Sequence, residues 1–420
     1  MKKLLFSTLA FIAMCFGIVA CHDMDDYQPQ DDSSQAKARM KTITVEEAKK
    51  QALMFVDNLG IQTRSLLNKE VGEVFAWRYG DIFAFTRAGD SGVNYTDTML
   101  YIVNFANEDG YILVSAKERS LGVVAYVEQG NLTPDTEIDI PGFQLFLDGL
   151  RDIQLDTAAT PVTDLVTQYP DAHWRIYEIV NPMIYAQWGE DAPFNTYCRD
   201  SWGFSAPAGN APTVTAQLVS KHRYPTSHAG HTYNWNLILS DTVPTSSTGK
   251  DMAARLINDI GVLENAHYSR NKTEVDSPED IKNCFDSLGY SYSYGNYDYD
   301  LCASSVRDGY PVLAIGLDYT NEAVKFWNVD GLLTWIFCIE RPLGEQGPPI
   351  FEILETKKYL HCDWGARGRG NGYFLNYGFC PNERFSRHYS DPVTPYQEDD
   401  KYNQYNDMLL MFYDVEPDND

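Results

Sequence analysis

The chain has 420 residues, with 59 acidic against 33 basic side chains and a formal net charge of −26. So acidic a balance excludes nucleic acid and anionic membrane surfaces as main partners, since each needs a basic face to meet phosphate charge. Of the eight cysteines, Cys15 and Cys21 fall near the N-terminus. The others (Cys198, Cys284, Cys302, Cys338, Cys362 and Cys380) are scattered without a Cys-x-x-Cys pair, so no metal site and no cofactor is expected.

Lys2 and Lys3 precede a short apolar run, Leu4 to Ala20, that is too short and too closely followed by charge for a membrane span. Residues 1–20 are therefore read as a secretory signal peptide. Ile18-Val19-Ala20-Cys21 has the form of a lipobox, which would make Cys21 the lipidated first residue of the mature protein. The alternative is an ordinary secretory signal with an incidental cysteine. Residues 21–40 carry Asp23, Asp25, Asp26, Asp31 and Asp32 among Gln, Ser and Pro, and read as a disordered acidic tether. Acidic runs in that place resemble surface-export signals of some Gram-negative lipoproteins. The expected location is the cell envelope, anchored in the outer membrane and surface-exposed, with membrane contact only through the lipid. An oxidising compartment would allow one or two disulfides, whose pairing the spacing leaves open.

Folded structure is expected from residue 41. Thr44-Val45-Glu46-Glu47 is a capping box, in which the hydroxyl and the carboxylate satisfy free backbone donors at a helix start. Ala48, Ala52, Phe55, Val56 and Leu59 follow at helical spacing, and Gly60 predicts the stop. Leu100–Phe105 and Tyr111–Ser115 flank a turn at 107–110 and predict a hairpin; Val123–Val127 predicts a third strand. A helix from Pro141 to Gln154 would bury Phe143, Phe146, Leu147 and Leu150. Ala158-Ala159-Thr160-Pro161 reads as a linker between a domain at 41–157 and a second at 175–420. In the second, Met252–Ile260 predicts an apolar helix, and Tyr310–Leu317, Ala323–Val329, Asn371–Leu375 and Met408–Val415 predict strands. The tyrosine-rich run Tyr290–Tyr299 reads as an exposed loop, with an adhesive patch as its alternative.

Several of these stretches resemble the streptopain family of papain-like cysteine peptidases. In the first half they are Leu-Tyr-x-x-Asn-Phe at 100–105, Gly-Tyr-Ile-Leu-Val-Ser at 110–115, and the later Val-Val-Ala-Tyr with its Pro-led apolar helix. These are similar to the family pro-domain, which shares its form with a dedicated peptidase inhibitor. In the second half they are Gln187-Trp188 with Ala192–Cys198, then Gly209–Leu218 running on to Tyr224-Pro225, then Tyr233–Asn236. The resemblance implies an α+β chain: a papain-like cysteine peptidase fold preceded by an α+β inhibitor-like pro-domain.

A papain-like site needs a thiolate, a histidine to hold its proton, and a third group to orient the histidine. The family places its nucleophile where Asn210 stands, at the start of a helix. Asparagine is a favoured N-cap, and Pro212 is tolerated in a first turn. Val324–Gly331 lies on the family's histidine strand and puts Lys325 at the histidine. His361–Arg367 lies on the Asn-Trp-Gly-Trp-Gly strip and puts Asp363 at the orienting asparagine. Six residues before Asn210, Phe204 stands where an oxyanion-hole glutamine would be. Lys325 and Asp363 are expected to face each other as an ion pair with Asn210 bonded to either, the alternative being that all three point into solvent.

Other candidates for chemistry are the thiols of Cys198, Cys302 and Cys362. His361 adjoins Cys362 but would point to the opposite face of a strand. Lys325 is a further candidate, as a base for Ser205 or Thr213. The spacing of His222, His228 and His231 matches no strong metal motif. The expected function is a catalytically inactive surface lipoprotein that binds protein or peptide in its degenerate cleft, one version being regulation of an active streptopain-like peptidase. The alternatives are an active cysteine peptidase with a displaced nucleophile, and an adhesive or structural surface protein.

Overall fold

A computed structural model describes residues 42–63, 69–83, 94–117, 121–156, 168–318, 323–343, 347–379 and 409–418. The signal peptide, Cys21, the acidic tether, the 158–161 linker and Cys380 lie outside the described residues.

In chain order the elements are α1 (Val45–Thr63), β1 (Val71–Arg78), α2 (Tyr79–Phe83), β2 (Thr98–Phe105), β3 (Tyr111–Ser115), β4 (Val123–Val127), α3 (Pro141–Asp156) and β5 (His173–Val180). Then come α4 (Asn210–His222), β6 (Ser227–His228), β7 (His231–Thr232), α5 (Trp235–Ile238), α6 (Ser247–Leu263), β8 (His267–Tyr268), β9 (Thr273–Glu274) and α7 (Pro278–Leu288). The chain closes with β10 (Tyr290–Asn296), α8 (Tyr299–Arg307), β11 (Val312–Asp318), β12 (Ala323–Leu343), β13 (Gly347–Asp363), β14 (Gly372–Leu375) and β15 (Leu409–Pro417).

The capping box forms: the Thr44 amide donates to Glu47 Oε2 at 2.6 Å, and the Glu47 amide donates to Thr44 Oγ1 at 3.2 Å. Helix α1 does not stop at Gly60 but continues to Thr63. A glycine inside a helix costs only about 1 kcal/mol, less than the burial of Phe55, Val56 and Leu59 on the same helix returns. The predicted hairpin is β2–β3, with Leu100 opposite Ser115 and Asn104 opposite Tyr111.

Eleven strands make one sheet, in the order β1-β2-β3-β4-β14-β13-β12-β11-β15-β10, with β5 added on β12. The N-terminal four strands and the C-terminal ones are thus continuous. The join is β4 on β14, with Val127, Tyr126 and Ala125 opposite Gly372, Tyr373 and Phe374. A Cβ on Gly372 would stand 2.0 Å from the Tyr126 carbonyl oxygen, so the join requires glycine there.

Side chains alternate across this sheet, as the strand period demands. Leu313, Ile315, Phe326 and Phe412 enter the core around α4. Val312, Ala314, Trp327, Val329 and Met411 enter the core beneath α1 and α3. Phe55 of α1 meets Trp335 edge-on at 5.0 Å and Tyr359 at 5.4 Å. Phe143 of α3 stacks on Trp364 at 6.2 Å. A Cβ on Gly142 would lie 2.4 Å from that indole, so α3 seats against Trp364 only through glycine.

Two further sequence expectations change. The strand expected at 323–329 runs to Leu343, because Leu332 to Cys338 is buried on both faces, between β13 and β5. The tyrosine run is not a loop: residues 290–296 form strand β10 on β15, with Tyr292 and Tyr294 packed on Phe412 at 5.3 and 4.7 Å.

Candidate functional site

Helix α4 begins beneath the sheet, and Gly209, not Asn210, is its N-cap, with φ +93°. That left-handed backbone suits glycine and excludes most side chains. Asn210 is the first helical residue, and Pro212 still falls in the first turn, where no intrahelical donor is needed. The Thr213 hydroxyl closes that turn by donating to the Gly209 carbonyl at 2.7 Å.

The Asn210 amide is held on both sides. Its Oδ1 accepts from the Phe326 backbone N–H at 3.0 Å, and its Nδ2 donates to the Trp364 carbonyl at 3.1 Å. The side chain therefore clips the helix start to β12 and to the turn after β13. Its partners are the chain neighbours of Lys325 and Asp363, not those side chains themselves.

Asp363 is 2% exposed, which removes the solvent alternative for it. Its Oδ2 accepts from Gln217 Nε2 at 3.1 Å and its Oδ1 from the Gly365 N–H at 3.1 Å. It makes no ion pair with Lys325, and strand parity gives the reason. Asp363 sits opposite Asn328, and Lys325 sits opposite Gly316. Positions three apart on a strand point to opposite faces. Asn328 and Asp363 both face α4, where Asn328 Nδ2 donates to the Val214 carbonyl at 2.9 Å. Burial, then the nearby charge of Asp330, pushes the Asp363 carboxyl up to about 6.

A cleft of about 560 Å³ opens over the start of α4, lined among others by Glu190, Asn210, Arg270, Trp364 and Arg367. One rim comes from the N-terminal half, at Asp139–Pro141. Arg369 clamps that rim, its guanidinium donating to both Asp139 oxygens at 2.9–3.1 Å. Arg367 Nε pairs with Asp191 Oδ1 at 2.7 Å. Burial, helped by Asp191 and Asp139, pushes the Glu190 carboxyl up to about 7. Phe204, taken as the oxyanion-hole position, is exposed beneath the Arg270 guanidinium instead.

The candidate thiols are elsewhere. Cys198, Cys284, Cys302, Cys338 and Cys362 are all free and buried, and none lines the cleft. Burial pushes the Cys198 thiol up to about 11, and raises Cys302 and Cys362 as well. His361 is not directed at Cys362; its Nδ1 lies 2.6 Å from Asp330 Oδ1. Of the three spaced histidines, His228 and His231 stand opposite each other on β6 and β7, His231 pairing with Asp259 at 2.6 Å, while His222 packs apart from them between Tyr290 and Tyr310. Among the described residues no group of three His, Cys, Asp or Glu side chains is placed to hold a metal ion.

Glu190, Arg270, Arg369 and Asp139 carry no local sequence signal, since their roles arise from long-range placement. Replacing Asn210 by alanine is expected to destabilise the protein by about 1–3 kcal/mol, because it orphans the buried Phe326 donor. Urea denaturation checks this, and a loss under about 0.5 kcal/mol would contradict the clip.

Residues 188–374 match the Peptidase C10 family, and residues 40–153 match the Spi protease inhibitor family. No curated protein matches. Among solved structures, a point-substituted fragment of prointerpain A from Prevotella intermedia is 14% identical, covering 76% of this chain and 96% of its own, with a TM-score of 0.47. The active wild-type interpain A cysteine protease of the same organism is 15% identical, covering 56% of this chain and 95% of its own, with a TM-score of 0.36.

Proposed function

Since this chain carries a peptidase C10 (streptopain-family) domain preceded by an Spi-inhibitor-like pro-domain, we propose that it is a non-catalytic protein that holds a protein or peptide in its cleft. On the same proposal it is exported as a lipoprotein anchored through Cys21. The observation that carries the reading is Asn210. At the helix start where the family resemblance puts the nucleophile, an amide is committed on both sides to backbone groups. An amide supplies no thiolate, and such a clip fixes the cleft floor without reactivity. A displaced nucleophile is disfavoured because each described cysteine is buried with its thiol pushed up, the opposite of the setting that activates one.

The pro-domain stays attached on this reading, since removal by self-cleavage needs a nucleophile. Its β4 strand is hydrogen-bonded into the sheet and its Asp139 is clamped by Arg369, yet the cleft beside it is open. The leaderless protein, residues 22–420, is expected to remain one chain on prolonged incubation, as followed by intact mass. A cut between 157 and 174 that appears at a rate independent of protein concentration would overturn the proposal.

A further inference from the structure

We infer that the cleft selects a peptide bearing a carboxylate, which Arg270 takes, beside an apolar side chain that packs on Trp202 and Phe204. The inference rests on the peptide-binding reading above and names the chemistry of its ligand.

The turn at 199–205 is built to present aromatics. Asp200 Oδ1 accepts from the Trp202 amide at 2.9 Å and from the Phe204 amide at 2.8 Å. The Asp200 N–H donates to the Phe204 carbonyl and the Gly203 N–H to the Asp200 carbonyl, each at 2.9 Å, and Arg199 bridges Ser205. On this fixed turn Trp202 is 84% exposed and Phe204 51% exposed. Large aromatics held rigidly in water serve no core, and they offer contact area at little ordering cost on binding. Tryptophan and arginine are the side chains that most often anchor an interface.

Arg270 lies in the turn between β8 and β9 and stacks on Phe204, its guanidinium carbon 3.8 Å from the ring centroid. That hairpin is fixed against the cleft wall, where the Thr273 hydroxyl donates to the Pro207 carbonyl at 2.8 Å. Ser205, Pro207 and Arg270 all line the cleft. The other cleft arginines are committed, Arg367 to Asp191 and Arg369 to Asp139. Among the described residues no carboxylate pairs with Arg270. In a chain of net charge −26, a guanidinium left unpaired at a cleft mouth complements an anionic ligand, and its planar fork fits a carboxylate. The nearby acids oppose this only weakly: the Asp200 carboxylate is bonded to two amides of its turn, and Glu190 is partly neutral at pH 7.

Two pools of fluorescein-labelled hexapeptides test the inference by polarisation against the leaderless protein. Both carry a fixed Leu or Phe, flanked by Asp or Glu in one pool and by Lys in the other. The acidic pool is expected to bind at least about tenfold tighter. Arg270→Glu should reverse that preference, and Trp202→Ser should weaken the acidic pool by about tenfold or more. Both positions are exposed, so an unchanged melting midpoint verifies folding. Equal binding of the two pools, or a preference unmoved by Arg270→Glu, overturns this inference and leaves the cleft-binding reading standing. No binding by either pool or by a neutral control pool overturns both.

Discussion

Replacing Glu264 by glutamine should flatten a fall in stability that the wild-type protein shows between about pH 4.5 and pH 8. Glu264 is the residue that caps the C-terminus of α6, and it is wholly buried. Burial pushes its carboxyl from 4.5 up to about 8, with the Thr215 hydroxyl opposing and the charge of Asp280 assisting. The folded protein therefore holds a proton that the unfolded chain releases above pH 4.5. Stability contributed by that proton is whole at low pH and drains away as pH rises to 8, at about 1.4 kcal/mol per unit. Over this window the loss is on the order of 4–5 kcal/mol, an upper figure because buried sites relax. Glutamine keeps the shape and carries no charge. Urea denaturation at pH 5, 7 and 9 should show the variant near wild type at pH 5 and more stable by a few kcal/mol at pH 9. Parallel pH profiles for the two proteins would contradict the neutral, buried state assigned to Glu264.

His361→Ala should cost about 3–5 kcal/mol, the expected penalty for breaking a buried charge pair from one side. His361 is 3% exposed and Asp330 1% exposed, with 2.6 Å between Nδ1 and Oδ1. Asp330 Oδ2 also accepts from the Met183 and Ile184 amides at 3.1 and 2.9 Å, which ties β12 to the segment entering the cleft. On its other side, His361 Nε2 lies 3.6 Å from Glu128 Oε1, just past the pro-domain strand β4. Burial alone would lower the imidazole, but Asp330 and Glu128 together raise it from 6.5 to about 10. The stability it contributes is complete below pH 6.5 and is lost as pH rises through 10. The alanine variant leaves Asp330 buried without its cation, and should melt well below wild type at pH 6 with the gap narrowing toward pH 10. If alanine prevents folding, His361→Gln supplies the same comparison. A gap that is small at pH 6, or that stays constant with pH, would contradict the charged triad.

What the sequence revealed was local. The capping box at Thr44, the 100–115 hairpin and the helix from Pro141 follow from neighbours a few residues apart and lie where the spacing put them, whereas α1 overruns the stop expected at Gly60. The join of β4 to β14 pairs residues far apart in sequence, with no mark beyond Gly372. The strand at 290–296 was legible in principle from the alternation Tyr-Ser-Tyr-Ser-Tyr, but its composition looks like a loop. At the site, the helix start at Asn210 could be read from its motif. Its bonding could not, because both partners are backbone groups more than a hundred residues away. The expected Lys325–Asp363 pair failed on strand register, which motif alignment does not encode. Arg270 and Trp202 left no motif, since their meaning lies in being unpaired beside a cleft.

The central claim is that this cleft binds without cutting. The most direct measurement treats the folded leaderless protein with a thiol-directed peptidase probe, beside a general peptide-cleavage assay. No site-selective labelling and no cleavage are expected, because the described thiols are buried and Asn210 holds the helix start. Labelling confined to one cysteine, together with cleavage that the probe abolishes, would contradict it and identify the nucleophile.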